Sequence, residues 1–261
     1  MIIPKLNPSL FLFSLLLLTG CASEFNLATQ REESLMYGTD KEVAIGDVVS
    51  QQIEKQFKMD TDVEVNRRVQ QILDRLVPVS DRQDLVYIIR VLNEEELNAV
   101  SLPGGYIYVF KGLIDNIKND DQLAGVVAHE LGHITARHAI KRMQASYSYL
   151  LLQILAVSSG SGEAAQGVNA AYAVAFSAFS QEDEFEADRL AVKYSKSAGY
   201  DPKAMPEVLR IIKAKEEKGP LRQISYLRTH PYITERIAAL NTAINGQMRF
   251  QDYLNLTEER K

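Results

Sequence analysis

Apolar positions recur every three to four residues along much of this chain, so its pattern is mainly helical. Val43, Val48, Val49, Ile53 and Phe57 mark an amphipathic helix from about Asp40. A second begins at Thr61, where Thr61-Asp62-Val63-Glu64 reads as a capping box. Val65, Val69, Ile72, Leu73 and Leu76 form its stripe, and Pro78 lies just beyond its end. The pattern then changes. Leu85 to Leu92 is β-branched and apolar, a strand. A second strand pattern runs from Ala99 to Phe110, with Pro103-Gly104-Gly105 as a turn or tight bend within it.

Helical periodicity returns after Asn119, an N-cap candidate, and meets no turn signal until about Ser158. Residues 147–179 read as a helical hairpin broken at Gly160-Ser161-Gly162, packed on the domain as a candidate lid. Neither half has the roughly twenty apolar residues of a membrane span. Ser180 opens an acidic helix that runs to about Ser197, with Gly199 after it. Asp201-Pro202 starts another, and the last spans Ile233 to Ile244, closed by Gly246. The sum is an α+β fold, mainly helical, with a small antiparallel sheet beside the helix that starts near 120.

The N-terminal end departs from this pattern. Lys5 precedes the apolar run Leu10 to Leu18, which reads as a signal peptide of residues 1–20. Leu18-Thr19-Gly20-Cys21 resembles a bacterial lipobox, so Cys21 is the expected lipidation site and a membrane anchor. Ala22 after it resembles lipoproteins sorted to the outer membrane. Residues 21–34 are polar and aperiodic and read as a tether, 35–250 as the domain, 251–261 as a tail. Cys21 is the only cysteine, which excludes an intrachain disulfide and a cysteine-based zinc site. The net charge of −5 and the lack of any basic block exclude a nucleic-acid partner as the expectation.

The chemistry sits in His129-Glu130-Leu131-Gly132-His133. Two histidines four apart share one helix face and can hold one Zn²⁺, with Glu130 as general base on a bound water. A third ligand is needed. Metzincin spacing would put a histidine at 139, where the chain has Ala139. His138 is one residue off, and nine residues along a continuous helix turn it about half a turn from His129. It reads as a surface residue or one that supports the site from behind. Glu184 and Asp188 stand one turn apart. Glu184 can ligate while Asp188 accepts the N–H of a ligating histidine. Glu186 points elsewhere, and Glu182 is a weaker rival. Spacing leaves equally open that the acidic run is a solvated helix start. Asn98, Ala99, Val100 and Ser101 form a candidate edge strand for a peptide substrate, with a plain hairpin as the equal alternative.

Together these motifs resemble one family. His129-Glu130-Leu131-Gly132-His133, then Glu184 and Asp188, preceded by Leu102-Pro103-Gly104-Gly105-Tyr106-Ile107-Tyr108-Val109 and followed by Thr229-His230-Pro231 and Arg236, are similar to the HtpX and type I CAAX prenyl protease family of zinc metallopeptidases. The resemblance covers about residues 35 to 245. It implies a gluzincin-type domain, one zinc per chain on His129, His133 and Glu184, Glu130 as the catalytic base, and Asp188 orienting a ligand. Without transmembrane helices the chain resembles the soluble periplasmic, BepA/LoiP-like branch. The implied function is an endopeptidase for misfolded or unassembled envelope proteins, lipid-anchored on the periplasmic side. An assembly factor or chaperone with a latent zinc site, and a hydrolase of non-peptide amides, are the alternatives. His230 has three readings: a donor to the oxyanion, a fourth protein ligand that holds the enzyme off, or a cap of the last helix.

Overall fold

A computed structural model describes residues 22–146, 173, 176–216 and 225–246. The signal region, Cys21, most of the 147–179 hairpin and the 251–261 tail lie outside the described residues. In order, the elements are β1 (Ala22–Asn26), β2 (Arg31–Leu35), α1 (Thr39–Gln56), α2 (Val63–Leu76), β3 (Ile88–Leu92), β4 (Ala99–Ser101), β5 (Tyr106–Phe110), α3 (Lys111–Asn116), α4 (Asp120–Thr135), α5 (Gln181–Ser197), α6 (Ala204–Glu216), α7 (Tyr226–Thr229) and α8 (Ile233–Asn245). Among the described residues, no helix is long and apolar enough to cross a membrane.

Three of the helices start where a short polar side chain takes up free backbone N–H groups. Asn119 accepts from Gln122 at the head of α4, and Ser180 and Asp183 close a reciprocal capping box on α5. On α2 the cap is Asp62, one residue beyond the expected Thr61, and it accepts from Glu64 and Val65.

The α+β expectation holds, with one refinement in the sheet. Its order is β3-β5-β4, with β4 antiparallel to β5 but β3 parallel to it. Side chains alternate across it. Ile89, Val91, Ala99, Ile107 and Val109 face the core around α4, while Leu92, Val100, Leu102, Tyr108 and Phe110 face α1. Thus α4 lies inside the main core, with every residue from Gln122 to Thr135 buried.

Two features differ from the sequence expectation. The stretch read as a tether is an antiparallel hairpin, with Ala22 opposite Leu35 and Asn26 opposite Arg31. It docks through polar contacts: Asn26 donates to the Thr135 carbonyl, and Arg189 donates to that of Ala28. Glu24 meets Arg137 at 2.8 Å. Among the hairpin residues whose burial is described, Leu35 and Ala28 alone bury apolar side chains, which is why hydrophobic periodicity misses it.

The second difference is a break in the motif helix. α4 stops at Thr135, Arg137 takes a left-handed φ of 58°, and helix resumes over 138–146. Its cause is remote. Arg137 Nε donates to buried Glu42 at 3.0 Å, beside Arg82, which donates to the same carboxylate at 2.8 and 2.9 Å.

Close packing of α4 on α5 depends on Gly132. A Cβ there would lie 2.9 Å from the Ala187 carbonyl oxygen and 3.1 Å from its Cα. Gly132→Ala is therefore expected to destabilise the fold by about 1–3 kcal/mol through overpacking, read by urea unfolding. An unchanged midpoint would mean that the two helices yield freely. Glu42→Ala leaves two buried guanidinium groups short of their counter-charge and is expected to cost about 3–5 kcal/mol in the same assay.

Candidate metal centre

Three helices and one turn build the site. α4 supplies His129, Glu130 and His133; α5 supplies Glu184 and Asp188; His230 follows α7; Arg236 comes from α8. None is more than 2% exposed. One ligand atom each from His129, His133, Glu184 and His230 lies within 4.8 Å of all the others. The Nε2 atoms of His129 and His133 approach to 3.0 Å.

That approach matters for the chemistry. Asp188 Oδ1 stands 2.9 Å from Nδ1 of His129 and accepts a hydrogen bond from the N–H there, so that in the neutral ring the lone pair is on Nε2, facing the cluster. Burial is the largest influence on His129 and opposes its charge, as does Arg236, yet hydrogen bonds to Asp188 and Glu184 raise its pKa overall to about 9. Burial dominates at His133 and keeps its ring neutral, with a pKa well below the usual value.

The carboxylates are held ionised. Burial opposes this most strongly at Glu184, but Arg236 and then His230, His129 and His133 outweigh it and hold its carboxyl well below the usual range. Asp188 is lowered against burial by Arg236 and by His129. Arg236 donates to Asp188 through Nε and Nη2, both at 2.8 Å. Its Nη1 sits 2.5 Å from Glu184 Oε2, an ion pair too poorly aligned to be a hydrogen bond.

Three carboxylate oxygens here, both of Glu130 and Oε2 of Glu184, are buried without a hydrogen bond. Although Glu184 Oε2 ion-pairs with Arg236 and Glu130 Oε1 lies 3.4 Å from His230 Nε2, carboxylate oxygens short of hydrogen bonds beside converging imidazole nitrogens are what a cation and its bound water would satisfy. Two His nitrogens and a carboxylate match the His₂Glu donor set of catalytic zinc. The residues present thus fit the metal.

The remaining residues singled out in the sequence fall as follows. Glu182 is exposed and away from the ligand cluster. Glu186 lies 3.3 Å from His138, on the far side of His133. The last helix takes no side-chain cap and its N-cap residue is Tyr232, so His230 does not cap it; His230 Nδ1 is instead 3.0 Å from Glu184 Oε1. Asn98, Ala99, Val100 and Ser101 do lie at a sheet edge, in and beside β4, but all four are buried. Tyr226 donates its backbone N–H to Leu97, and Thr229 Oγ1 donates to Asn98 Oδ1, so α7 covers the start of that edge.

Sequence reasoning missed Phe179, whose ring stacks on His133 at 3.8 Å and on His230 at 5.4 Å. No local signal marks it. His138, read as a surface residue or one that supports the site from behind, is 2% exposed and touches His133, as in the second of those readings.

Comparison with known proteins agrees with this geometry. The chain is 26% identical over 235 residues to a beta-barrel assembly-enhancing protease of Escherichia coli (strain K12), covering 86% of this chain and 47% of that protein. It is 32% identical over 155 residues to the mitochondrial metalloendopeptidase OMA1 of Arabidopsis thaliana, covering 58% of this chain and 30% of that one. With the metalloprotease LoiP of Escherichia coli (strain K12) it shares 30% identity over 151 residues, 56% of this chain and 58% of LoiP. The chain spans about half the length of the beta-barrel assembly-enhancing proteases it matches. The model of peptidase family M48 matches residues 64–244, which include every residue of the cluster. With that match over most of its length, the chain belongs to peptidase family M48.

Proposed function

We propose that this chain is a zinc-dependent endopeptidase that cleaves misfolded or unassembled proteins of the cell envelope. The observation that carries the hydrolytic reading is Glu130. Both its oxygens are buried and without hydrogen bonds next to the ligand cluster. A closed structural zinc site has no use for such a carboxylate.

His129, His133 and Glu184 would hold the metal. When bound, zinc acts as a Lewis acid that polarises a carbonyl and makes water acidic near neutral pH. Glu130 takes the proton from the attacking water and hands it to the leaving amine. Asp188 fixes the tautomer of His129, and Arg236 keeps Asp188 and Glu184 ionised. A peptide would pair with β4 through the outward-facing backbone of Ser101 and the Ala99 carbonyl, since Val100 opposes Tyr108, Leu102 donates to Tyr106 on the β5 side, and the Ala99 N–H already donates to Asn98 Oδ1.

The substrate class rests on similarity to a beta-barrel assembly-enhancing protease and on the lipobox pattern at Cys21. A lipid on Cys21 would tie the domain to the periplasmic side of a membrane, in this reading the outer one.

A second reading, an assembly factor or chaperone with a latent zinc site, has its own support. His230 Nδ1 belongs to the set of converging ligand atoms, and a fourth protein ligand takes the position water needs.

Casein digestion tests the first reading. Wild-type protein is expected to cleave, and Glu130→Gln or removal of zinc by a chelator to reduce cleavage by at least about 100-fold, the lower bound of the range for general-base loss. Equal cleavage by Glu130→Gln would sink it. Full rescue of a deletion strain by Glu130→Gln would favour the assembly-factor reading. His230→Ala is expected to raise casein cleavage several-fold by vacating the fourth position; a fall would make His230 a donor to the oxyanion instead.

A further inference from the structure

His138 is buried and belongs to no step described so far. Its Nδ1 lies 2.8 Å from Nδ1 of His133, with the rings 5.0 Å apart and inclined at 72°. Its Nε2 lies 3.3 Å from Glu186 Oε2 and 3.5 Å from Asp183 Oδ1.

The proton positions along this chain follow from one requirement. Two imidazole nitrogens at hydrogen-bond distance hold one proton between them, so one donates and the other accepts. Nε2 of His133 faces the ligand cluster, 3.0 Å from His129 Nε2 and 3.6 Å from Glu184 Oε1. To offer a lone pair there, His133 must carry its proton on Nδ1 and donate it to His138. His138 then accepts through Nδ1 and carries its own proton on Nε2. That proton points to Glu186 and Asp183, which accept it. Each role fixes the next.

We propose that His138 is a positioning residue that fixes the tautomer and ring orientation of His133 for metal binding, itself oriented by Glu186 and Asp183. The proposal deepens the metal-site reading and rests on His133 being a ligand. The two histidines of the motif are thus supported differently. His129 donates directly to a buried carboxylate; His133 reaches partly exposed carboxylates through a second imidazole. The backbone device is the left-handed Arg137, which lets a residue five positions after His133 turn back onto it.

The test is zinc affinity rather than activity. Dissociation constants are measured by competition with a chromogenic chelator for the full chain, His138→Phe, His138→Asn and His133→Ala. Wild type is expected to bind one zinc, and His138→Phe to bind it about 10–100-fold more weakly, the usual cost of losing a partner behind a metal ligand. His138→Asn, whose Oδ1 falls near the position of Nδ1 and can accept the same proton, is expected to recover most of the affinity. A merely structural residue would lower the unfolding temperature of the metal-free protein without moving the zinc constant, so unchanged affinity in His138→Phe overturns the proposal. If His133→Ala also binds zinc like wild type, the ligand reading falls and the proposal with it. Should His138→Phe not fold, long-range ¹H–¹⁵N spectra of zinc-loaded wild type decide. They should show the His138 proton on Nε2; a proton on Nδ1 overturns the proposal.

Discussion

One buried guanidinium governs this structure. Glu184 and Asp188 must both be ionised to serve the site, and both lie in a dry interior, at 0% and 2% exposure. A carboxylate buried without compensation costs several kcal/mol. Arg236, itself 0% exposed, compensates both. Its planar fork suits the task, because Nε and Nη2 grip Asp188 while Nη1 turns to Glu184. Asp188 then orients His129. The charge chain runs from α8 through α5 to α4, and it sets where the three helices can sit. Apolar packing around Gly132 supplies the close approach that lets these polar atoms meet.

Much of this was legible in the sequence where a local rule applies. The stripe of α2, the cap at Asn119 and the helix start at Ser180 each depend on residues within one or two turns. The i, i+4 spacing put His129 with His133 and Glu184 with Asp188, though spacing alone could not tell a ligand from a solvated helix start; the ligand role is what the family resemblance implies. What stayed hidden depends on distant partners. Arg137 carries no glycine or proline signal, and its left-handed turn is stabilised by Glu42, 95 residues earlier. A continuous helix would have carried His138 away from the site, and the break brings it back. The 22–35 hairpin is polar at nine of its fourteen positions and docks on groups more than 100 residues away. Parallel pairing of β3 with β5 has no local pattern at all.

The site is also closed. Phe179 covers His133, Arg142 lies 3.8 Å over the outer side of that ring, and the Phe179 backbone donates to Thr229, next to His230. Phe179 and His230 are therefore one cover, joined through the backbone. A peptide that reaches Glu130 has to displace both.

The spread of the charge chain along the polypeptide has a consequence for biosynthesis. His129 and Arg236 are 107 residues apart. A nascent chain that has emerged through α5 holds the whole H-E-x-x-H motif, Glu184 and Asp188, yet lacks the guanidinium that ion-pairs with both carboxylates. Those groups favour water over burial until α8 arrives. The centre can close only once almost the whole domain has been made, so an incomplete chain carries the ligands of a peptidase without its dry, ordered site. Placing the counter-charge on the last helix of the domain makes completion of the domain a condition for assembly of the metal centre.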